Sequence, residues 1–205
     1  MMRAFYLAAV TIAGMLLYIS PALATSQNSL TIPEVAVSEP PTGYSQMCTD
    51  RMLLCMAEGI VALHNGAWDS DSLMHTLRDV NRSVNRNMRW RADRTENWTG
   101  AEIAKGASGD CEDFAITKRL QLLGAGFPAE RLSYAVAYVP RTGLHTVLIA
   151  NVDGVDLVLD NRTPWIERWS DTHYVWLLKQ SVAYPNTWYT TYPDSPPGKA
   201  VALAA

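Results

Sequence analysis

The hydrophobic pattern of the chain changes once, from a helical repeat to a strand repeat, and this change restricts the fold more than any other feature. Apolar residues recur every three or four positions from Asp71 to about Met88, which predicts an amphipathic helix. A second helical stripe begins near Asp110 and ends at the Gly-Ala-Gly-Phe-Pro run at 124–128, a strong stop signal. The pattern therefore predicts two helices before any strand.

Three β-prone segments follow the second helix and are separated by short turns. The last turn contains Asp153-Gly154, a pair that is typical of a tight hairpin. Helices followed by antiparallel strands predict an α+β fold in which the helices pack on one sheet. A Trp- and Tyr-rich stretch at 174–192 is expected to add a last strand or packing segment. The predicted strands are 132–139, 144–151 and 155–160.

The N-terminus has the architecture of a secretory signal peptide. Met1-Met2-Arg3 is followed by an apolar run to about Ile19 and then by Ala22-Leu23-Ala24, a small-x-small cleavage pattern. An uncleaved membrane anchor is the alternative, but the apolar run is short for a full span. We expect residues 1–24 to be removed on export, and we predict no membrane-spanning segment in the mature chain.

The remaining chain is expected to form one domain with two flexible ends. Residues 25–43 are rich in Ser, Thr and Pro and lack periodicity, which predicts a flexible linker. The periodic segments lie in 44–192, and the Pro-, Gly- and Ala-rich end at 193–205 is expected to be disordered. With 17 Lys+Arg against 20 Asp+Glu, the net charge is −3, and no basic surface for nucleic acid is predicted.

The chain contains three cysteines, so one thiol must lack a partner within the chain. Cys48 and Cys55 are seven residues apart and have no CxxC or HxxxH motif nearby, which favours a disulfide over a zinc site. Cys111 is then the thiol left over. Because a free thiol is unusual in an exported protein, Cys111 is the first candidate for chemistry.

Cys111 is predicted to lie at the start of the second helix, where the helix dipole and unpaired N–H groups favour a thiolate. His145 falls on the second strand and Asp160 at the end of the third. A four-residue turn at 151–154 places these two side chains directly opposite each other, and a one-residue shift makes them diagonal neighbours on the same face. In either register Asp160 can hold one imidazole nitrogen while the other faces the helix, as in papain-type catalysis. The alternatives are a buried or dimer-forming cysteine, an ordinary strand histidine and a turn-capping aspartate.

The sequence Gly-Asp-Cys-Glu-Asp-Phe-Ala-Ile-Thr-Lys at 109–118 resembles the nucleophile motif of the bacterial transglutaminase-like cysteine peptidases, which include LapG-type periplasmic adhesin proteases. The resemblance implies a papain/transglutaminase-like fold with Cys111 as nucleophile, His145 as base and Asp160 as the residue that orients the imidazole. The segment 98–103 departs from the family pattern, which leaves the substrate groove undefined. Further similar segments, in the same order, are 80–85, 126–132, 145–148 and 157–161.

Three acidic residues surround the predicted nucleophile: Asp110, Glu112 and Asp113. Carboxylates in a first helical turn complement the dipole, and Asp110 can act as the N-cap. Carboxylates beside a thiol also raise its pKa, and a bound Ca²⁺, which prefers hard oxygen ligands, would offset their charge. The resemblance implies calcium dependence through Asp110 and Glu112, with Asp113 a weaker third ligand.

These features together predict an exported cysteine endopeptidase that acts on a protein substrate in the bacterial periplasm or outside the cell. The resemblance suggests a large surface adhesin as substrate and an inner-membrane receptor as regulator. One alternative is a transglutaminase-type acyl transferase with the same triad. The other is a calcium-responsive binding module without catalysis. No nucleotide-binding, zinc-protease or serine-hydrolase motif is present in the chain.

Overall fold

A computed structural model describes residues 29–51, 55, 68–92, 98–100 and 106–192. The elements in these residues form the predicted α+β fold. The helices are α1 (Thr42–Asp50), α2 (Ser70–Asn87) and α3 (Cys111–Gly124). The strands are β1 (Ala36–Ser38), β2 (Arg89–Trp90), β3 (Ser108–Gly109), β4 (Leu132–Val139), β5 (Gly143–Val152), β6 (Val155–Leu159), β7 (Ile166–Arg168), β8 (Val175–Gln180) and β9 (Trp188–Thr190).

Seven of these strands form one antiparallel sheet in the order β1-β9-β8-β4-β5-β6-β7. The central hairpins follow the predicted segments to within one residue at each end. The Trp- and Tyr-rich stretch supplies β8 and β9. Strand β2, which follows α2, and strand β3, which precedes α3, form a separate short parallel pair.

The β5–β6 turn runs from Val152 to Val155, one residue further along the chain than the four-residue turn at 151–154. Val152 pairs with Val155, so the loop contains two residues, Asp153 and Gly154. Their φ angles are 52° and 79°, the left-handed conformation that an Asp-Gly hairpin turn adopts readily. The strand register is therefore the one-residue-shifted alternative.

The helices pack on one face of the sheet. In α2, Leu73, Leu77 and Val84 are buried as the periodicity predicts, and the helix is capped by Asp69, whose carboxylate accepts from the backbone N–H of Ser72 at 2.8 Å. The N-cap is therefore Asp69 and not the predicted Ser70 or Asp71, which lie one and two residues further along the chain. The core beneath α1 contains four aromatic rings that meet edge to face: Tyr44, Trp98, Tyr134 and Trp188.

The opposite face of the sheet is covered by the N-terminal segment, and this corrects the predicted linker at 25–43. Residues 29–43 are ordered: β1 pairs with β9, and Ile32 is buried with 1% of its surface exposed. The backbone N–H of Ile32 donates to Asp156 at 3.0 Å. The segment is attached to the sheet through the Ile32 side chain and backbone hydrogen bonds. Its sequence therefore shows no hydrophobic periodicity.

Asp156 also forms a buried ion pair on this face. Its Oδ2 lies 3.1 Å from Nζ of Lys179, which is 3.3 Å from the more exposed carboxylate of Glu34. Its Oδ1 accepts from the Asn151 side chain at 2.8 Å. The N-terminal segment is thus held to the sheet through a satisfied polar cluster.

The predicted signal peptide at 1–24 and the predicted tail at 193–205 lie outside the described residues. Among the helices that are described, none has the length and apolarity required to cross a bilayer.

Candidate active site

Cys48 and Cys55 form a disulfide, and Cys111 remains a free thiol, so the predicted pairing is confirmed. Cys111 is the first residue of α3. Asp110 occupies the N-cap position but makes no side-chain capping bond, which differs from its expected role. The thiol is therefore placed at the positive end of a buried helix.

Two close contacts fix the start of α3. A Cβ on Gly109 would lie 2.3 Å from Oδ2 of Asp113, so only glycine permits this approach. The Oδ1 of Asp113 accepts from the backbone N–H groups of Thr99 and Gly100 at 3.2 and 2.9 Å, and from the Thr99 hydroxyl at 2.9 Å. Asp113 thus ties residues 98–100 to α3, a structural role that the sequence analysis did not assign to it.

The surroundings of Cys111 favour a protonated thiol. Burial raises its pKa first, and the negative charge of Glu112 raises it further, since the thiol donates to Oε2 of Glu112 at 3.1 Å. Asp110 acts in the same direction. The backbone N–H of Thr146, 3.4 Å from Sγ, has the opposite effect because it stabilises the thiolate. Burial and the two carboxylates together outweigh the effect of the Thr146 N–H, so the pKa of the Cys111 thiol is raised.

His145 and Asp160 form a buried hydrogen bond, with 2.8 Å between Nε2 and Oδ1. Burial alone would raise the pKa of Asp160. The hydrogen bond and charge of His145 lower it, as do donors from the Tyr174 hydroxyl and the Arg162 backbone N–H, and the result is a pKa of about 2. Asp160 is therefore a carboxylate at any physiological pH.

The register makes His145 and Asp160 diagonal neighbours. Leu148 pairs with Leu159, so Asp160, one residue past β6, comes opposite Val147 and two residues from His145. Side chains alternate along β5, so His145 lies on the same face of the sheet as Val147, opposite the helices. This differs from the expectation that the imidazole faces the helix. The thiol meets β5 at the backbone of Thr146, the residue after His145.

Several residues that support this site were not among the predicted site residues. Asn85 donates from Nδ2 to the carbonyl oxygens of Asp160 and Thr163 at 2.8 and 2.9 Å, and Asn81 reaches the same Thr163 carbonyl at 3.3 Å. Asn81 is completely buried, and a polar residue on the apolar stripe of α2 was the available signal. Tyr174, in contrast, lies far along the chain and gave no local signal.

Lys118 is a second buried group that the sequence analysis did not single out. Its side chain is fully buried on α3, with Nζ 3.4 Å from the carbonyl oxygen of Leu159. Burial lowers the pKa of Lys118 to about 7, although the nearby charge of Asp160 opposes the change. The lysine thus links α3 to the end of β6, next to Asp160.

Lys118 predicts a pH dependence of stability. The unfolded chain keeps this proton up to a pKa of 10.5, whereas the folded chain loses it near pH 7, so the unfolded state binds more protons between these values. The free energy of unfolding should therefore rise with pH across that window. In Lys118→Met this contribution should vanish, and denaturant unfolding at several pH values measures it. If the free energy of unfolding depends on pH in the same way in Lys118→Met and the unchanged protein, Lys118 is not the group responsible. Arg78→Met, at an exposed residue, is the control and should keep the pH dependence of the unchanged protein.

A helix that begins with a partly buried thiol and packs on an antiparallel sheet carrying a His–Asp pair is the arrangement of papain- and transglutaminase-type cysteine enzymes. The family described as bacterial transglutaminase-like cysteine proteinase BTLCP matches residues 34–195. The chain belongs to this family and is a transglutaminase-like cysteine peptidase.

Solved structures of LapG from Legionella pneumophila have a similar fold. The calcium-bound structure is 23% identical, with a TM-score of 0.50 over 65% of this chain and 83% of that chain. Another LapG structure and an EGTA-treated one have TM-scores of 0.47 and 0.49 at 23% and 22% identity, over 66% of this chain and 80% of theirs. A search of curated proteins found no match.

Proposed function

We propose that this peptidase is an exported endopeptidase in which Cys111 is the nucleophile, His145 the general base and Asp160 the residue that orients the imidazole. The observation that carries the proposal is the buried His145–Asp160 hydrogen bond on the strand whose next residue, Thr146, contacts the thiol through its backbone N–H. The thiol therefore lies against the residue that follows His145 on β5.

The reaction follows from these groups. The Cys111 proton passes to His145, and Sγ attacks the carbonyl carbon of the scissile peptide bond. The backbone N–H of Cys111, at the helix start, is placed to stabilise the negative oxygen of the tetrahedral intermediate. When the C–N bond breaks, His145 returns the proton to the leaving amine, and a thioester remains. Water, deprotonated by His145, then hydrolyses the thioester and releases the acid and the free thiol.

Asp110 and Glu112 have the donor chemistry to hold a calcium ion, because their carboxylates are hard oxygen ligands on either side of the thiol. When bound, a calcium ion supplies positive charge that offsets the two carboxylates raising the thiol pKa. Among the described residues no group of three or more His, Cys, Asp or Glu side chains is arranged as a metal site. Backbone carbonyls or water would have to complete the coordination. The calcium-bound form of the similar LapG supports this part of the proposal.

Calcium should therefore stabilise the folded protein. At a concentration 100-fold above the dissociation constant, the expected gain is about 2.7 kcal/mol over the EGTA-treated protein. Asp110→Asn and Glu112→Gln should each reduce the gain, whereas Asp71→Asn, an exposed acidic residue in the first turn of α2, should not. Thermal unfolding with calcium or EGTA measures the effect. An identical melting temperature in both conditions would contradict the calcium proposal and leave the triad untouched.

The proposed substrate is a protein of the cell surface, with a large adhesin as the type that the family resemblance suggests. Export through the N-terminal signal would place the enzyme in the periplasm or outside the cell, where an inner-membrane receptor could regulate it. An acyl transferase with the same triad is the second candidate, since an amine can replace water in attacking the thioester.

Incubation with surface proteins of the encoding bacterium, in calcium and with a labelled primary amine, separates these activities. The proposal expects new protein N-termini and no label. Label incorporation at glutamine without new N-termini would identify a transferase instead. The non-catalytic binding module would be favoured if neither product forms and an alkylating epoxide fails to modify Cys111 with or without calcium.

A further inference from the structure

Tyr174 contacts both members of the His145–Asp160 pair. It directly precedes β8 and is half-buried. Its hydroxyl donates to Oδ2 of Asp160. The other oxygen, Oδ1, accepts from His145 Nε2 at 2.8 Å and from the backbone N–H of Arg162 at 2.9 Å. Tyr174 therefore binds the carboxylate oxygen that the imidazole leaves open.

The ring of Tyr174 packs on the imidazole edge to face. The two ring centroids are 5.9 Å apart, and the planes are almost perpendicular at 89°. On its other side the ring contacts Trp176, with centroids 5.9 Å apart. Trp176 is 2% exposed and donates from Nε1 to the carbonyl oxygen of Trp169 at 3.2 Å. The tyrosine ring is thus held in place by a buried neighbour that has its own hydrogen bond.

We propose that Tyr174 is a positioning residue for the catalytic pair: its hydroxyl fixes the Asp160 carboxylate, and its ring excludes water from the His145–Asp160 hydrogen bond. Donors on both oxygens prevent the carboxylate from rotating, so Oδ1 stays directed at Nε2. Burial and the bond to Asp160 raise the pKa of Tyr174, so the hydroxyl keeps its proton throughout the neutral range. This inference rests on the proposed function, because orienting His145 matters to Cys111 only if the imidazole serves the thiol.

Alkylation of Cys111 by iodoacetamide tests the proposal without a known substrate, because Cys111 is the free thiol once Cys48 and Cys55 are bonded. The full mature chain is assayed in calcium at neutral pH. Tyr174→Phe keeps the ring and removes the donor, and we expect alkylation about three- to tenfold slower than in the unchanged protein. Tyr184→Phe, at a 69% exposed tyrosine, is the matched control and should leave the rate unchanged.

A double-mutant cycle separates positioning from a general structural effect. If Tyr174 acts through Asp160, Tyr174→Phe should have no further effect on the alkylation rate when Asp160→Ala is already present. In NMR spectra the hydrogen-bonded imidazole proton of His145 should exchange with water faster in Tyr174→Leu, which also loses the ring. Thermal unfolding identifies any variant that fails to fold.

Three outcomes are distinguishable. An unchanged rate in Tyr174→Phe, while Asp160→Ala is slowed, would overturn the role of Tyr174 and leave the triad standing. Equal slowing by Tyr174→Phe with and without Asp160 would also overturn it, because the tyrosine would then act independently of the carboxylate. An Asp160→Ala variant that reacts as fast as the unchanged protein would overturn the proposed function and the inference with it.

Discussion

Replacing His145 with alanine is expected to reduce peptide-bond cleavage by at least about 10³-fold, because the proposed reaction uses its imidazole both to take the Cys111 proton and to return it to the leaving amine. Burial and two carboxylates already hold the thiol in its protonated form. Without the imidazole, the thiolate population at neutral pH should fall further. Iodoacetamide alkylation of Cys111 should slow in parallel with cleavage, and both rates can be measured on the same preparation.

The fold should survive this change. The Asp160 carboxylate keeps its hydrogen-bond donors from Tyr174 and Arg162. It can also become protonated, so that no unpaired charge is left buried when His145 is absent. His75→Ala is the matched control, since His75 is an exposed histidine on α2 whose loss should leave both rates unchanged. Similar losses in the two variants, or unchanged rates in His145→Ala, would exclude His145 as the general base.

Asp156→Ala is expected to lower the free energy of unfolding by about 3–5 kcal/mol, the usual cost of leaving one member of a buried ion pair without its partner. The substitution leaves the Lys179 ammonium buried with only the partly exposed Glu34 nearby. It also removes the acceptor for the backbone N–H of Ile32, so the N-terminal segment loses an attachment to the sheet. The His145–Asp160 pair lies elsewhere on the sheet and should keep its hydrogen bond.

Glu34→Ala provides the comparison for this prediction. Glu34 contacts the same ammonium at 3.3 Å, but its side chain is 37% exposed, so its loss should cost no more than about 1 kcal/mol. Denaturant unfolding of both variants measures the difference. Equal losses of stability in the two variants would show that burial does not make the Asp156–Lys179 ion pair more stabilising than the Glu34–Lys179 contact.

The sequence predicted the central hairpins well because their signals are local. Strands β4 to β6 are continuous β-prone segments, and Asp153-Gly154 suits a hairpin turn, so their positions needed no tertiary information. The register remained open between two turns that differ by one residue, and the observed two-residue loop decided it. β1 could not be predicted in this way, since its pairing partner β9 lies about 150 residues further along the chain.

The site was predictable only to the extent that its residues carry their own signals. Cys111 was marked by the odd cysteine count, and His145 and Asp160 by their placement on neighbouring strands. Tyr174 and Lys118 reach Asp160 and its neighbour through tertiary packing, which no spacing in the sequence encodes. Asp113 resembled a metal ligand by position, and only the structure shows it bound to Thr99 and Gly100.

The central claim is that Cys111 cuts a protein substrate, and the most direct test compares the unchanged enzyme with Cys111→Ala in cells that lack the native gene. Labelling of protein N-termini on the cell surface and in the medium identifies every new cleavage. We predict that the unchanged enzyme produces a defined set of new N-termini and that Cys111→Ala, expressed to the same level, produces none of them. The same N-termini in both strains would contradict the account.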